Sequence, residues 1–207
     1  MVKLNIEIEE EIKEYFIPEN WSEIKAHQFG AIIETQDTDN LTGIEKAIQV
    51  MKSVTDIDEE MIYQLPIQEF NKIVDILSFT NTPIQAEVKE SIIVGDEEYF
   101  LKKDFDQLVL GEIISIEMIM EKTKGNVFSN IEELLCVFLR KKKDNGKLES
   151  FKTDMMLRAN KFREIPITDI YQLMLFFLNG EGSLKNNMKD SLEEKKQKIK
   201  KEVDLNQ

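Results

Sequence analysis

A single cysteine, Cys136, in 207 residues cannot close an internal disulfide. A single histidine, His27, leaves a nucleophilic triad without the usual choice of general base, and it rules out HExxH. Eight glycines and four prolines are too few for the many tight turns of a sandwich or barrel. No apolar run approaches the roughly 20 residues that span a bilayer. The opening Met1-Val2-Lys3-Leu4-Asn5-Ile6-Glu7 has no signal-type apolar region. The expected location is therefore a reducing cytoplasm, without membrane insertion.

What is abundant is acid. Asp and Glu total 40 against 27 Lys and Arg, a formal net charge of −13. Such a surface repels phosphate backbones and anionic membranes, which argues against nucleic-acid partners and membrane docking. A 42% hydrophobic content suffices for a sizeable core.

Hydrophobic spacing predicts a mainly α fold with a small antiparallel β element. Val2, Leu4, Ile6 and Ile8 alternate as in a half-buried strand. A helix from about Ser22 to Gln36 is expected to bury Ile24, Phe29, Ile32 and Ile33. Thr42-Gly43-Ile44-Glu45 matches a capping box ahead of a face of Ile44, Ala47, Ile48 and Met51. Asp56 and Glu59 suggest a second cap, and Pro66 suits the first turn of a helix burying Ile67, Phe70, Ile73, Val74 and Leu77.

Residues 80–90 read as a linker. A hairpin near 91–101 turns at Gly95 and is expected to pair with the N-terminal strand or with a partner. In the second half Ile113, Ile116 and Met120 form a stripe, and Ser129-Asn130-Ile131-Glu132 reads as a further capping box. Asp144-Asn145-Gly146-Lys147 is a turn. Phe151, Met155, Ala159 and Phe162 form one stripe, and Ile167, Ile170, Tyr171, Met174, Phe177 and Leu178 another, ended by Asn179-Gly180. Residues 1–182 read as one mainly helical domain, with a division into 1–82 and 83–182 left open. Residues 183–207 read as a charged C-terminal helix or tail, sparse in apolar residues.

Candidate chemistry is thin. Cys136 lies within Leu134-Leu135-Cys136-Val137-Phe138-Leu139 and reads as a buried hydrophobe. Glu7 and Glu9 alternate toward solvent. Asp37-Thr38-Asp39-Asn40 lacks the glycine and closing glutamate of a calcium loop. The glycines form no phosphate cradle. Arg140-Lys141-Lys142-Lys143 suits a helix C-terminus, and Lys195 to Lys201 has no aromatic residue for stacking bases. No catalytic residue, metal ligand or cofactor is assigned, and the chain reads as a non-enzyme. Trp21 has two readings: an interface anchor or a staple at a helix entry.

Ile17-Pro18-Glu19-Asn20-Trp21-Ser22-Glu23-Ile24 resembles the opening of small virion-gene proteins of tailed phages, particularly those of Bacteroides-type hosts, the crAss-like group. Leu65-Pro66, Ile76-Leu77-Ser78-Phe79, Tyr99-Phe100, Gly111-Glu112 and the apolar run Leu134 to Leu139 extend the ordered likeness across about residues 1–178. The layout also resembles tail or baseplate assembly chaperones. The Lys-rich segment after Gly182 departs from the pattern.

The resemblance implies a virion assembly or structural protein of the tail or portal region, located in the host cytoplasm during assembly and then, if retained, in the virion. Its partners would be tail, portal or baseplate subunits, with homo-oligomerisation open. Contact candidates are Trp21, Ile24 and Phe29 at the entry, Ile93, Tyr99 and Phe100 on the hairpin, and Leu192, Lys198 and Ile199 in the tail. The alternatives are a transient tail-assembly chaperone absent from the mature particle and, in another class, a nucleic-acid-associated regulator using the Lys-rich tail.

Overall fold

The computed structural model describes all residues except 9–10, 88, 103–107, 124–125 and 176–207. The chain folds as a mainly helical structure with two small antiparallel sheets. The N-terminal strand β1 (Val2–Ile8) pairs with β2 (Glu11–Ile17), in register from Val2 opposite Ile17 to Ile8 opposite Glu11. Acid-rich sequence hid β2, yet the period-2 pattern is there: Tyr15 and Ile17 point inward, Ile12 and Phe16 outward. The expected pairing of β1 with the later hairpin does not occur. That hairpin, β3 (Ser91–Val94) and β4 (Glu97–Leu101), pairs instead with β5 (Leu139–Arg140). Gly95 supplies the positive φ of its turn, at 66°.

The first helix starts later than its apolar spacing suggests. Trp21–Glu23 form a 3-10 turn capped by the Asn20 side chain, and α1 runs from Ala26 to Asp37. Ile24 stays extended between them because its carbonyl accepts from Ile167 N at 2.7 Å. In α2 (Gly43–Val54) the predicted capping box forms: Thr42 N donates to Glu45 Oε2 at 2.7 Å, and Glu45 N to Thr42 Oγ1 at 3.3 Å. Its buried face is Ile48, Val50, Met51 and Val54, rotated away from the exposed Ile44.

Helix α3 (Glu59–Gln64) is capped by Asp58, not Asp56. In α4 (Ile67–Leu77) Pro66 occupies the cap position, Ile73 and Leu77 are buried, and Ile67 faces solvent. The box expected at Ser129 is not made. Its hydroxyl donates to Glu34 on α1, and α6 (Ile131–Phe138) starts at Asn130 without a side-chain cap. Every residue of Leu134 to Phe138 is buried, Cys136 included. Burial pushes the Cys136 thiol up to about 12, which suppresses its thiolate. Met155 and Phe162 are buried from the 3-10 turn Thr153–Arg158 and α7 (Ala159–Phe162). A last helix, α8, covers residues 167–175. The predicted contributions of Phe177 and Leu178, the cap at Asn179-Gly180 and the tail at 183–207 lie outside the described residues.

The core runs from Ile6 to Met174 as one cluster, so it crosses the division considered at residue 83. Phe29 is its aromatic hub. It meets Trp21, Phe128 and Tyr171 edge to face, with centroids 5.8, 5.4 and 6.0 Å away. Next to Phe29 on α1, Gly30 lies against the backbone of the 3-10 turn Val127–Asn130. A Cβ there would sit 2.4 Å from the Phe128 carbonyl oxygen, so the two backbones can approach only without a side chain. Alanine is the better helix former by about 1 kcal/mol, but overpacking against fixed backbone costs about 1–3 kcal/mol. Gly30→Ala is therefore expected to lower the urea midpoint at unchanged m-value. A raised midpoint would mean that the two elements separate at little cost.

Candidate interaction surface

Helix α5 (Leu110–Lys122) organises the candidate surface. Its sequence is apolar nearly all round, a pattern that normally belongs to a fully buried helix. One side packs inward through Ile119, with Ile116 and Met120 half-buried on the core. The expected stripe of Ile113, Ile116 and Met120 is thus only half-buried, and Ile119 beside it is the most enclosed. The opposite side carries Leu110, Ile114 and Met118 at i, i+4 and i+8, and these are 61%, 46% and 65% exposed. Glu117 and Glu121 lie on the same side and are exposed. The reading of a single stripe missed this second face. The signal for it was the adjacent pairs Ile113-Ile114 and Met118-Ile119, which no one-sided helix needs.

The helix is fixed in place by charge. Glu112, in the first turn, is 1% exposed, and so is Arg140. Arg140 Nη2 donates to Glu112 Oε1 at 2.9 Å, and its Nη1 donates to the carbonyls of Cys136 and Leu139 at 2.8 and 3.0 Å. The other Glu112 oxygen accepts from Lys102 Nζ at 2.6 Å and from Val109 N at 2.8 Å. Phe151 lies against Gly111 and under the guanidinium, 5.3 Å from ring centroid to Arg140 Cζ. The first member of the basic run Arg140-Lys141-Lys142-Lys143 is thus buried and paired. Arg140 still caps α6 carbonyls, as a cation at a helix C-terminus should, but it does so from inside a strand.

A second charged group surrounds Tyr99, which is fully buried. Its hydroxyl donates to Glu97 at 2.6 Å, and Lys141 and Lys161 bind the same carboxylate. The Lys141 ammonium, with the Tyr99 hydroxyl and Lys161, holds Glu97 down to about 2. Burial, with the Glu97 carboxylate beside it, raises Tyr99 well above its ordinary value. Arg158 pairs with Glu149. Among the described residues no buried side-chain nitrogen or oxygen lacks a partner. Both clusters pair their charges within the fold, which is how structural ion pairs behave.

The contact candidates separate accordingly. Trp21, Ile24 and Phe29 are core residues, and Tyr99 packs edge to face on Phe162 at 4.9 Å. Their large apolar areas are engaged within the chain and unavailable to a partner without rearrangement. Trp21 Nε1 donates to the Thr82 carbonyl at 3.1 Å and its ring meets Phe79 at 5.4 Å, so it is the staple, pinning the 80–90 segment. Shallow clefts of about 350 and 410 Å³ flank that strap beside Trp21 and Pro83. Phe100 is half-buried under Lys142 Nζ, 3.6 Å from its centroid.

Ile93 is the exposed candidate, at 73%, on β3, which among the described residues pairs only with β4. Leu192, Lys198 and Ile199 lie outside the described residues. His27 is half-exposed, its Nδ1 2.8 Å from the Arg163 carbonyl. Among the described residues no group of His, Cys, Asp or Glu converges to hold a metal, and no helix is long and apolar enough to cross a membrane. Comparison of this chain with protein-family models, with curated proteins and with solved structures gives no match.

Proposed function

We propose that this chain is a virion-assembly or structural protein of the tail or portal region of a tailed phage, working by protein–protein contact and without catalysis. The observation that carries the binding half is the exposed Leu110-Ile114-Met118 stripe on a helix whose other side is locked into the core. A rigid apolar stripe at helical spacing offers anchors for a partner helix or groove. The edge of β3 that no described strand pairs, beside exposed Ile93, adds a second mode, strand addition. The phage context is supported by the ordered likeness over residues 1–178. The acidic body favours solubility before assembly and selects basic partners.

The test is mass spectrometry of purified virions together with affinity capture of the tagged full chain from infected cells. A structural protein is recovered in virions; a transient chaperone is recovered only with precursor subunits. Recovery with neither overturns the reading, and so does DNA binding that survives a gel-shift titration in salt. Ile114→Ser with Met118→Ser is expected to weaken capture at least tenfold. Stability should stay within about 0.5 kcal/mol, since both side chains face solvent.

A further inference from the structure

The chain's own sequence holds a segment whose apolar spacing matches the α5 stripe. On α5 the residues run Leu110, Ile114, Met118, Glu121; in the C-terminal segment they run Leu184, Met188, Leu192, Lys195. Both sets step by four, four and three, so on two helices each set traces one narrow ridge, drifting roughly 40° per step of four. Laid parallel in this register, three apolar residues meet three apolar residues, and a lysine meets a glutamate.

Charge continues the match. Residues 195–201 hold five lysines and no carboxylate, while Glu117 and Glu121 are exposed on the stripe's side of α5. The negative C-terminal end of α5 would receive those lysines, as helix dipoles favour. The antiparallel arrangement would place them over Leu110 at the positive end. A second copy's α5 is a poorer occupant. It would bring two strongly acidic bodies together and place carboxylates among the exposed apolar residues.

We propose that the segment Leu184 to Val203 occupies the Leu110-Ile114-Met118 face of its own chain, its apolar residues set against that stripe in the parallel register. The inference rests on the same stripe as the proposed function, but the isolated full-length protein tests it. Met118→Cys with Leu192→Cys is oxidised under mild conditions. Ile114→Cys with Met188→Cys serves as a second pair in the same register, and Ile93→Cys with Leu192→Cys as the control. Buried Cys136 stays out of the reaction.

The expected result is an intrachain disulfide, monomeric on a non-reducing gel, formed at least tenfold faster in both register pairs than in the control. Glu117→Lys with Glu121→Lys, or 0.5 M salt at roughly a 4 Å screening length, should slow it several-fold. Equal rates in register and control pairs overturn the proposal. Bonds formed only between chains also overturn it and assign the stripe to a second copy. None of these outcomes depends on whether the chain is found in virions.

Discussion

Glu112→Ala is expected to lower the unfolding free energy by about 3–5 kcal/mol, and Arg140→Ala by less, because Lys102 and Val109 N still hold the Glu112 carboxylate. Glu112→Ala leaves a guanidinium 1% exposed and without its carboxylate partner, whereas Arg140→Ala leaves an equally buried carboxylate with Lys102 as its remaining counter-charge. Glu112→Ala also removes the acceptor for Val109 N at the start of α5 and one anchor of Lys102. Burial already drives Arg140 downward from its ordinary value, and the Glu112 carboxylate opposes that drift. The informative variant is the pair Glu112→Leu with Arg140→Met. A buried ion pair replaced by apolar residues of similar volume is often neutral or better, although here the Cys136 and Leu139 carbonyls lose a donor. The double variant should therefore be more stable than either of its own single variants, Glu112→Leu or Arg140→Met, by more than about 1 kcal/mol, a strong departure from additivity. Urea denaturation of the four proteins reads this directly. Additive costs would show that the two side chains do not depend on each other, and that α5 is held by its apolar side alone.

The elements written in local sequence were legible, and those written in tertiary contact were not. Thr42 and Glu45 cap α2 as their spacing says, because a capping box needs only residues a turn apart. Gly95 and Gly146 take the positive φ of their turns for the same reason. Ser129 carries an equally good signal and fails, since Glu34, distant in sequence, captures its hydroxyl. Strand β2 escaped notice because its outward residues include Ile12 and Phe16, which blur the alternation of the inward Tyr15 and Ile17. Gly30 looks like an ordinary helix glycine until Phe128 is placed against it. The candidate surface follows the same rule. Ile93 was readable as the outer residue of a short hairpin. Leu110, Ile114 and Met118 were readable as apolar residues, but which side of an all-round apolar helix faces the core is set by Glu112 reaching Arg140. A sequence of 40 acidic residues offers no reason to single out that one carboxylate.

Trp21→Ala is expected to cost about 3–5 kcal/mol, the range for truncating a large buried aromatic. The indole touches Phe29 and Phe79 edge to face and donates to the Thr82 carbonyl. Its loss opens a cavity between α1 and the strap that follows α4. Trp21→Phe separates the two contributions. It keeps most of the packing and removes the hydrogen bond, which costs about 1–3 kcal/mol if the carbonyl is left without a donor. An interface anchor would behave oppositely: stability nearly unchanged, partner capture lost. The chain's only tryptophan also reports on itself, since a buried indole emits toward the blue and shifts to the red when urea unfolds the chain. Red-shifted emission from the native protein, or a Trp21→Ala variant as stable as the parent by circular dichroism, would return Trp21 to the surface and to partner binding. A destabilised Trp21→Ala variant with blue-shifted parent emission would make the entry segment a support for α1 and the strap, and would leave the α5 stripe and the β3 edge as the faces for the proposed contacts.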